Sequence, residues 1–209
     1  MTEPIKPFRV LFVCAGNTCR SPMAALLLRA RLGDVPGFAV ESAGILAEVG
    51  SPMAEDARAT VAARTGLAGV PHRARQLTVP MVTAADLVLT ATRAIRADTV
   101  RSVPGSVRRT FTVLEFVRLA QRMPSEATPS LGEVAASVAA ERTGASEADD
   151  DIADPIGGPA QAYERAADVL DSATEVIAEV LLGAAARHPD PHGAGATAVI
   201  PVPGESPRS

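Results

Sequence analysis

Phe8-Arg-Val-Leu-Phe-Val-Cys14 runs straight into Ala15-Gly16-Asn17-Thr18-Cys19-Arg20-Ser21-Pro22, and then into Met23-Ala-Ala-Leu-Leu-Leu-Arg29-Ala-Arg31-Leu32-Gly33. Few folds accommodate that order. Val10 to Val13 is an uninterrupted apolar run of strand length, the pattern of a strand buried on both faces. Beyond the loop, Ser21 offers an N-cap hydroxyl, and Pro22 suits a first helical turn, where its missing N–H costs nothing. Arg29 and Arg31 place positive charge in the last turn, and Gly33 can end the helix. The segment reads as strand, tight loop, helix.

The loop carries the chemistry. Ala15 and Gly16 are small enough for the backbone to curl with its N–H groups inward. Closed by a helix N-terminus, such a curl is an anion site. Arg20 adds a planar fork that matches two phosphate oxygens. Cys14 ends the strand facing the same positive centre, a setting that favours the thiolate. A sulfur nucleophile beneath a bound phosphate is what phosphoryl transfer to sulfur requires. Taken singly, Cys14 could be a small buried hydrophobe and Arg20 a surface charge. The whole string between a strand and a helix is far more specific than either residue.

Further along, Phe38 to Ser42, Asp86 to Thr90 and Arg109 to Phe111 read as short strands. Between and after them, helical spacing covers Met53 to Thr65, Val79 to Ala84, Arg93 to Val100, Val113 to Gln121 and Leu131 to Arg142. The alternation predicts an α/β fold with a four-stranded parallel sheet and helices on both faces. Ligands of such sheets sit beyond the strand C-termini, where Cys14 falls. Ala160 to Leu182 is a long amphipathic pattern, with Tyr163, Ala167, Leu170, Ala173, Ile177 and Leu181 on the expected core face. Residues 1–183 are read as one domain with an insertion at about 124–150. Residues 184–209, rich in Pro and Gly, are read as a disordered tail.

Val13 to Pro22 resembles the phosphate-binding loop of the low-molecular-weight protein tyrosine phosphatases, and the resemblance reaches most of residues 8–182. It implies a flavodoxin-like, three-layer fold of the phosphotyrosine protein phosphatase I type. It also implies Cys14 as nucleophile, and a phosphate held by Ala15, Gly16, Asn17, Thr18, Cys19, Arg20 and Ser21, with no metal or other cofactor. Ser42-Ala43-Gly44 and His72-Arg-Ala-Arg75-Gln-Leu77 resemble two further segments of the family. By that resemblance Asn17, Ser21, Ser42 and His72 form a hydrogen-bonded network under the loop, and Ser21 can also donate to the sulfur.

A cysteinyl-phosphate route needs a proton donor for the leaving group and then a base for water. Asp154, in Asp149-Asp-Asp-Ile-Ala-Asp154-Pro155-Ile-Gly-Gly158, is the best candidate. Its Asp-Pro resembles the acid loop of the family. Like charge on a bound phosphate would favour its protonated form. The neighbouring Asp149, Asp150 and Asp151 read as a solvated charge run.

The substrate is less legible. Tyrosine-directed members have aromatic walls around the site, whereas this chain has no Trp and one Tyr. It places Ile156 after Asp-Pro and has no aromatic in Ile45 to Gly50. Thr18, with Gly157-Gly158, resembles the bacterial protein-arginine phosphatases of the same family, yet those keep the aromatic that Ile156 replaces. Phosphotyrosine and phosphoarginine stand level on these residues, with a small-molecule phosphate ester as a further reading. A non-catalytic phospho-residue binder is the competing class, and the joint presence of Cys14, Arg20 and Asp154 argues against it. Thioredoxin-linked arsenate reductases share the loop but need further cysteines, and none follows Cys19.

Net charge is −4, which favours neither nucleic acid nor an anionic membrane. No apolar run approaches a membrane span, and the first residues lack the apolar core of a secretory signal. The expectation is a cytoplasmic enzyme acting on a phosphorylated protein. The oligomeric state is not legible. Both cysteines lie in the one loop, so Cys19 either pairs reversibly with Cys14 on oxidation or packs the loop.

Overall fold

The computed structural model describes residues 6–187 apart from 68, 125, 128 and 144–148. Strands β1 (Phe8–Cys14), β2 (Phe38–Gly44), β3 (Leu87–Thr90) and β4 (Thr110–Thr112) form one sheet in the order β2-β1-β3-β4. Every pairing is parallel, so every strand ends on the same side. Helices α1 (Arg20–Leu32), α2 (Glu55–Thr65), α3 (Val79–Ala84), α4 (Arg93–Ser102), α5 (Val113–Ala120), α6 (Val134–Ala140) and α7 (Ala160–Arg187) make the crossovers and the covering layers.

The period-two geometry of a strand explains the layering. Val10 and Phe12 of β1 face a core shared with α1, α2, α5, α6 and α7. Leu11 and Val13 face the other way, into a second core with α3 and α4. A strand buried on both sides carries no polar alternation, which is why the run reads as continuous. The expected α/β class, sheet and layers are those of the molecule.

α7 spans 28 residues, about 42 Å at 1.5 Å per residue. It packs chiefly on α1. All six residues assigned to its core face are buried. Arg31 pairs with Asp171 at 2.7 Å, and Arg64 of α2 pairs with Glu164 and Asp168 at 2.8 and 2.6 Å.

Two boundaries differ from the sequence reading. α1 begins at Arg20, and Ser21 lies inside its first turn without capping it. Its hydroxyl is engaged in the loop network described below. α7 does not stop at Gly183 but continues to Arg187, with Ala184 fully buried. A helical glycine costs about 1 kcal/mol relative to alanine, which continued packing outweighs. The division at 183/184 therefore falls within a helix, and residues 188–209 of the expected tail lie outside the described residues.

Within the proposed insertion, the described helix α6 packs against the domain. α6 buries Val134, Ala135 and Val138. Arg142 lies over the Phe111 ring, 4.1 Å from its centroid, and donates to Thr110 O at 2.9 Å. It also reaches Glu115 at 2.9 Å.

Leu170→Ala should destabilise the fold by about 2–5 kcal/mol, because the helix that closes the core cannot collapse into the space left. Denaturant unfolding of the two proteins checks this.

Candidate active site

β1 ends at Cys14 and α1 begins at Arg20, so Ala15–Cys19 belong to neither ladder. Their N–H groups are available to face the loop's interior, joined by the first N–H groups of α1, which have no intrahelical acceptor. The exception is Asn17, whose N–H donates to Cys14 Sγ at 3.2 Å. Ser21 Oγ lies 3.0 Å from the same sulfur. Asn17 Nδ2 donates to that hydroxyl oxygen at 2.9 Å, leaving the hydroxyl proton for the sulfur or for Ala43 O at 3.3 Å. An N–H and a hydroxyl thus converge on the sulfur.

Asn17 is the knot of the loop. It is fully buried and has a φ of 57°, a left-handed conformation that asparagine tolerates better than most residues. Each of its polar groups is used. Nδ2 serves Ser21 and, at 2.9 Å, Ser42 Oγ. Oδ1 accepts from Arg75 N at 2.9 Å. The backbone carbonyl is 2.7 Å from His72 Nε2, which donates when the ring carries its proton there. The four residues of the expected network are thus joined directly.

Two members of this support were not singled out from sequence. Arg75 contributes its backbone N–H to Asn17 and its guanidinium to Ser42 O at 2.9 Å. A backbone donor leaves no trace in residue type. Gly44 pairs with Cys14 across the sheet. A Cβ there would lie 2.4 Å from Ala15 O and 2.8 Å from Asn17 N, so the loop can curl only over a glycine. Gly44 stood in a segment recognised by resemblance, without that reason.

Arg20 is 5% exposed. Nη1 donates to Ile152 O at 2.9 Å, and Nη2 pairs with Asp154 Oδ2. Its buried Nε has no partner among the described residues. A buried guanidinium with an unused donor beside a ring of amides is prepared for an oxyanion. Asp154, its side chain 38% exposed, hangs at the mouth and is brought to Arg20 from across the chain. Cys19 differs sharply from Cys14 in its contacts. It belongs to the large core, and burial pushes its thiol up to about 11, so it stays protonated. Among the described residues, no three His, Cys, Asp or Glu side chains gather as a metal site.

A sulfur at the C-terminal end of a central strand, beside a loop outside both ladders and a buried arginine, is an arrangement suited to phosphoryl transfer. The family model for low molecular weight phosphotyrosine protein phosphatase matches residues 9–128. A protein-arginine-phosphatase of Geobacillus stearothermophilus is 35% identical over 175 residues, covering 84% of this chain and 97% of that protein. A probable low molecular weight protein-tyrosine-phosphatase of Ralstonia solanacearum is 50% identical over 80 residues, 38% of this chain and 52% of the other. Among solved structures, an arginine phosphatase from Geobacillus stearothermophilus has a TM-score of 0.68 at 34% identity, over 87% of this chain and 97% of that one. A low molecular weight protein tyrosine phosphatase from T. tengcongensis gives 0.63 at 28% identity, over 82% and 97%. The chain belongs to the low-molecular-weight protein tyrosine phosphatase family and is a protein phosphatase of that type. No described helix is long and apolar enough to cross a membrane.

Gly44→Ala should lower kcat/KM by about a hundredfold and weaken inhibition by inorganic phosphate, since the loop must move to make room. Steady-state kinetics with phosphate as inhibitor checks it.

Burial pulls the His72 pKa down. The unfolded chain therefore takes up this proton first as pH falls through about 6.5, and stability declines through that window until the folded ring also titrates. His72→Gln keeps a donor for Asn17 and should flatten that part of the slope. Denaturant midpoints between about pH 8 and pH 5 check the sign.

Proposed function

We propose that this chain hydrolyses phosphoarginine in proteins. The observation that carries the reading is the mouth of the site. Thr18 has its hydroxyl over Gly16, where an added Cβ would lie 3.4 Å away. Ile156, which lines a groove with Thr18, is exposed and aliphatic, as are Leu46 and Val49 in the loop after β2. A small hydroxyl rim leaves room for a flat, polar guanidinium, and aliphatic walls offer a phenyl ring no stacking partner. Beside Thr18 opens a groove of about 580 Å³, whose lining includes Met53, Leu67, Val70 and Ile156. The arginine-phosphatase relative matches this chain over nearly its whole length, which supports the same substrate. The competing reading, phosphotyrosine, is favoured by 50% identity to a probable tyrosine phosphatase over the shorter shared region.

The geometry supports the following roles. The phosphoryl group docks on the loop amides and on Arg20, whose free Nε and Nη2 supply two parallel donors. Cys14 Sγ attacks phosphorus in line as the bond to the side-chain nitrogen breaks. A guanidine leaves readily only if it receives a proton, and Asp154 delivers it. Arriving phosphate takes Arg20 over as its partner and frees Asp154 to turn toward the leaving group. Water then attacks phosphorus, Asp154 accepts its proton, and the sulfur–phosphorus bond breaks. Ser21 donates to the departing sulfur. Donors fixed before the reaction supply most of the acceleration. We place the enzyme in the cytoplasm, acting on phosphorylated proteins, where both thiols stay reduced.

At matched concentration, a phosphoarginine peptide should be hydrolysed with higher kcat/KM than a phosphotyrosine peptide of the same sequence. Thr18→Ile should shift the ratio toward tyrosine. A preference for tyrosine in the parent, unmoved by Thr18→Ile, would favour the competing reading. Cys14→Ser should release no phosphate from either peptide, and release at the parental rate would remove the enzymatic mechanism.

A further inference from the structure

Asp149, Asp150 and Asp151 read from sequence as a solvated charge run; the structure corrects this for Asp150, while Asp149 and Asp151 are exposed. Asp150 is 5% exposed. Its carboxylate accepts two hydrogen bonds from Arg118 of α5, at 2.8 and 3.3 Å. Asp151 Oδ1 accepts the N–H of Arg93, the first residue of α4, at 2.7 Å, and the Arg93 guanidinium lies 3.5 Å away. Asp149 Oδ1 accepts from Asp151 N at 3.3 Å, a bond within the run itself.

The next residue continues the attachment. Ile152 is 3% exposed. Its N–H donates to Ala91 O at 2.9 Å, and its carbonyl accepts from Arg20 Nη1 at 2.9 Å. Ala91 N in turn donates to Val13 O at 2.8 Å, one residue before Cys14. The segment ahead of Asp154 is therefore fixed to α5, to the head of α4 and to the end of β3, and through Arg20 to the phosphate loop. Asp154 itself stands outside any helix or strand. A general acid must lie within hydrogen-bond reach of the leaving atom, so its placement comes from what holds its loop.

We propose that Asp150 with Arg118, and Asp151 with the first turn of α4, are positioning residues that hold Asp154 over the phosphate site. Neither aspartate touches the reacting atoms. Breaking either attachment loosens the backbone that carries the acid, while the loop and Cys14, held by β1, α1 and Asn17, keep their places and Arg20 retains its bond to Ile152 O. The proposal rests on the reading of Asp154 as the proton donor, and its signature is a dependence on the leaving group.

The test compares kcat/KM of the full chain on two substrates. One is a phosphotyrosine or phosphoarginine peptide, whichever the parent turns over better, whose leaving group needs a proton. The other is 2,4-dinitrophenyl phosphate, whose phenolate leaves without one. Asp154→Asn is the reference and should lower the peptide value by about 10²–10⁴-fold while sparing the dinitrophenyl ester. Asp150→Asn and Asp151→Ala should each lower the peptide value by about 10- to 100-fold, leave the dinitrophenyl value within about twofold, and leave inhibition by inorganic phosphate unchanged. Arg118→Lys should retain more peptide activity than Arg118→Met. Equal losses on both substrates in every one of these variants, or no loss on either, would overturn the positioning role while leaving Asp154 as the acid. If Asp154→Asn fails to separate the two substrates, the acid assignment falls and the positioning role falls with it. Should Asp150→Asn fail to fold, Asp151→Ala and Arg118→Lys address the same attachment from its other ends.

Discussion

A loop that turns its amides toward one point must turn its other polar groups toward the protein, and those must all find partners there. Asn17 is where this chain meets that requirement. Its side chain ties α1 to β2, its Oδ1 holds the segment through Arg75, and its carbonyl meets His72. The head of α1, β2 and the segment from His72 to Arg75 converge on this one buried residue. The missing side chain of Gly44 is the complementary condition, since the loop lies where a Cβ would be. The geometry that serves a phosphate is thus fixed from behind, by groups that never meet it.

Much of this could be read from local pattern. The apolar run of β1, the alternation of strands and helices, and the core face of α7 depend on residues close in sequence, and short-range periodicity carries them. The misreadings share an origin in contacts that residue type does not announce, some local and some far along the chain. Ser21 has the composition of a cap, but its hydroxyl is already committed to the sulfur and to Asn17. Gly183 has the composition of a stop, but Arg187 lies alongside it and Ala184 is buried one residue on. Asp150 looks solvated because nothing nearby in sequence announces Arg118, thirty-two positions away. Contacts made through main-chain atoms, at Arg75 N and Ala91 O, leave no signature in residue type at all.

Charge is distributed by the same logic. The chain is acidic overall, yet its one strongly buried guanidinium near the sulfur is Arg20. A cation so placed needs a counter-charge whenever no anion is bound, and Asp154 provides it. The pair costs little to separate at the exposed carboxylate, which water can solvate once the arginine turns to phosphate. One interaction therefore settles the buried cation while leaving its carboxylate partner at the surface.

The two halves of the site are held in different ways. The phosphate loop is short, and its supports come mainly from hydrogen bonds between uncharged groups buried in the interior. The acid segment is hung from the outer elements, α4 and α5, by carboxylates. α5 carries Glu115 as well as Arg118, three residues apart and so on one face of the helix. Glu115 engages Arg142 at the end of the inserted helical region, and Arg118 engages Asp150 where the chain returns to the acid. The ends of the connection between α6 and the acid segment are thus anchored side by side on one helix. The segment that returns to Asp154 also meets the loop region, through Ile152 O and Arg20, so the two halves are joined at that bond.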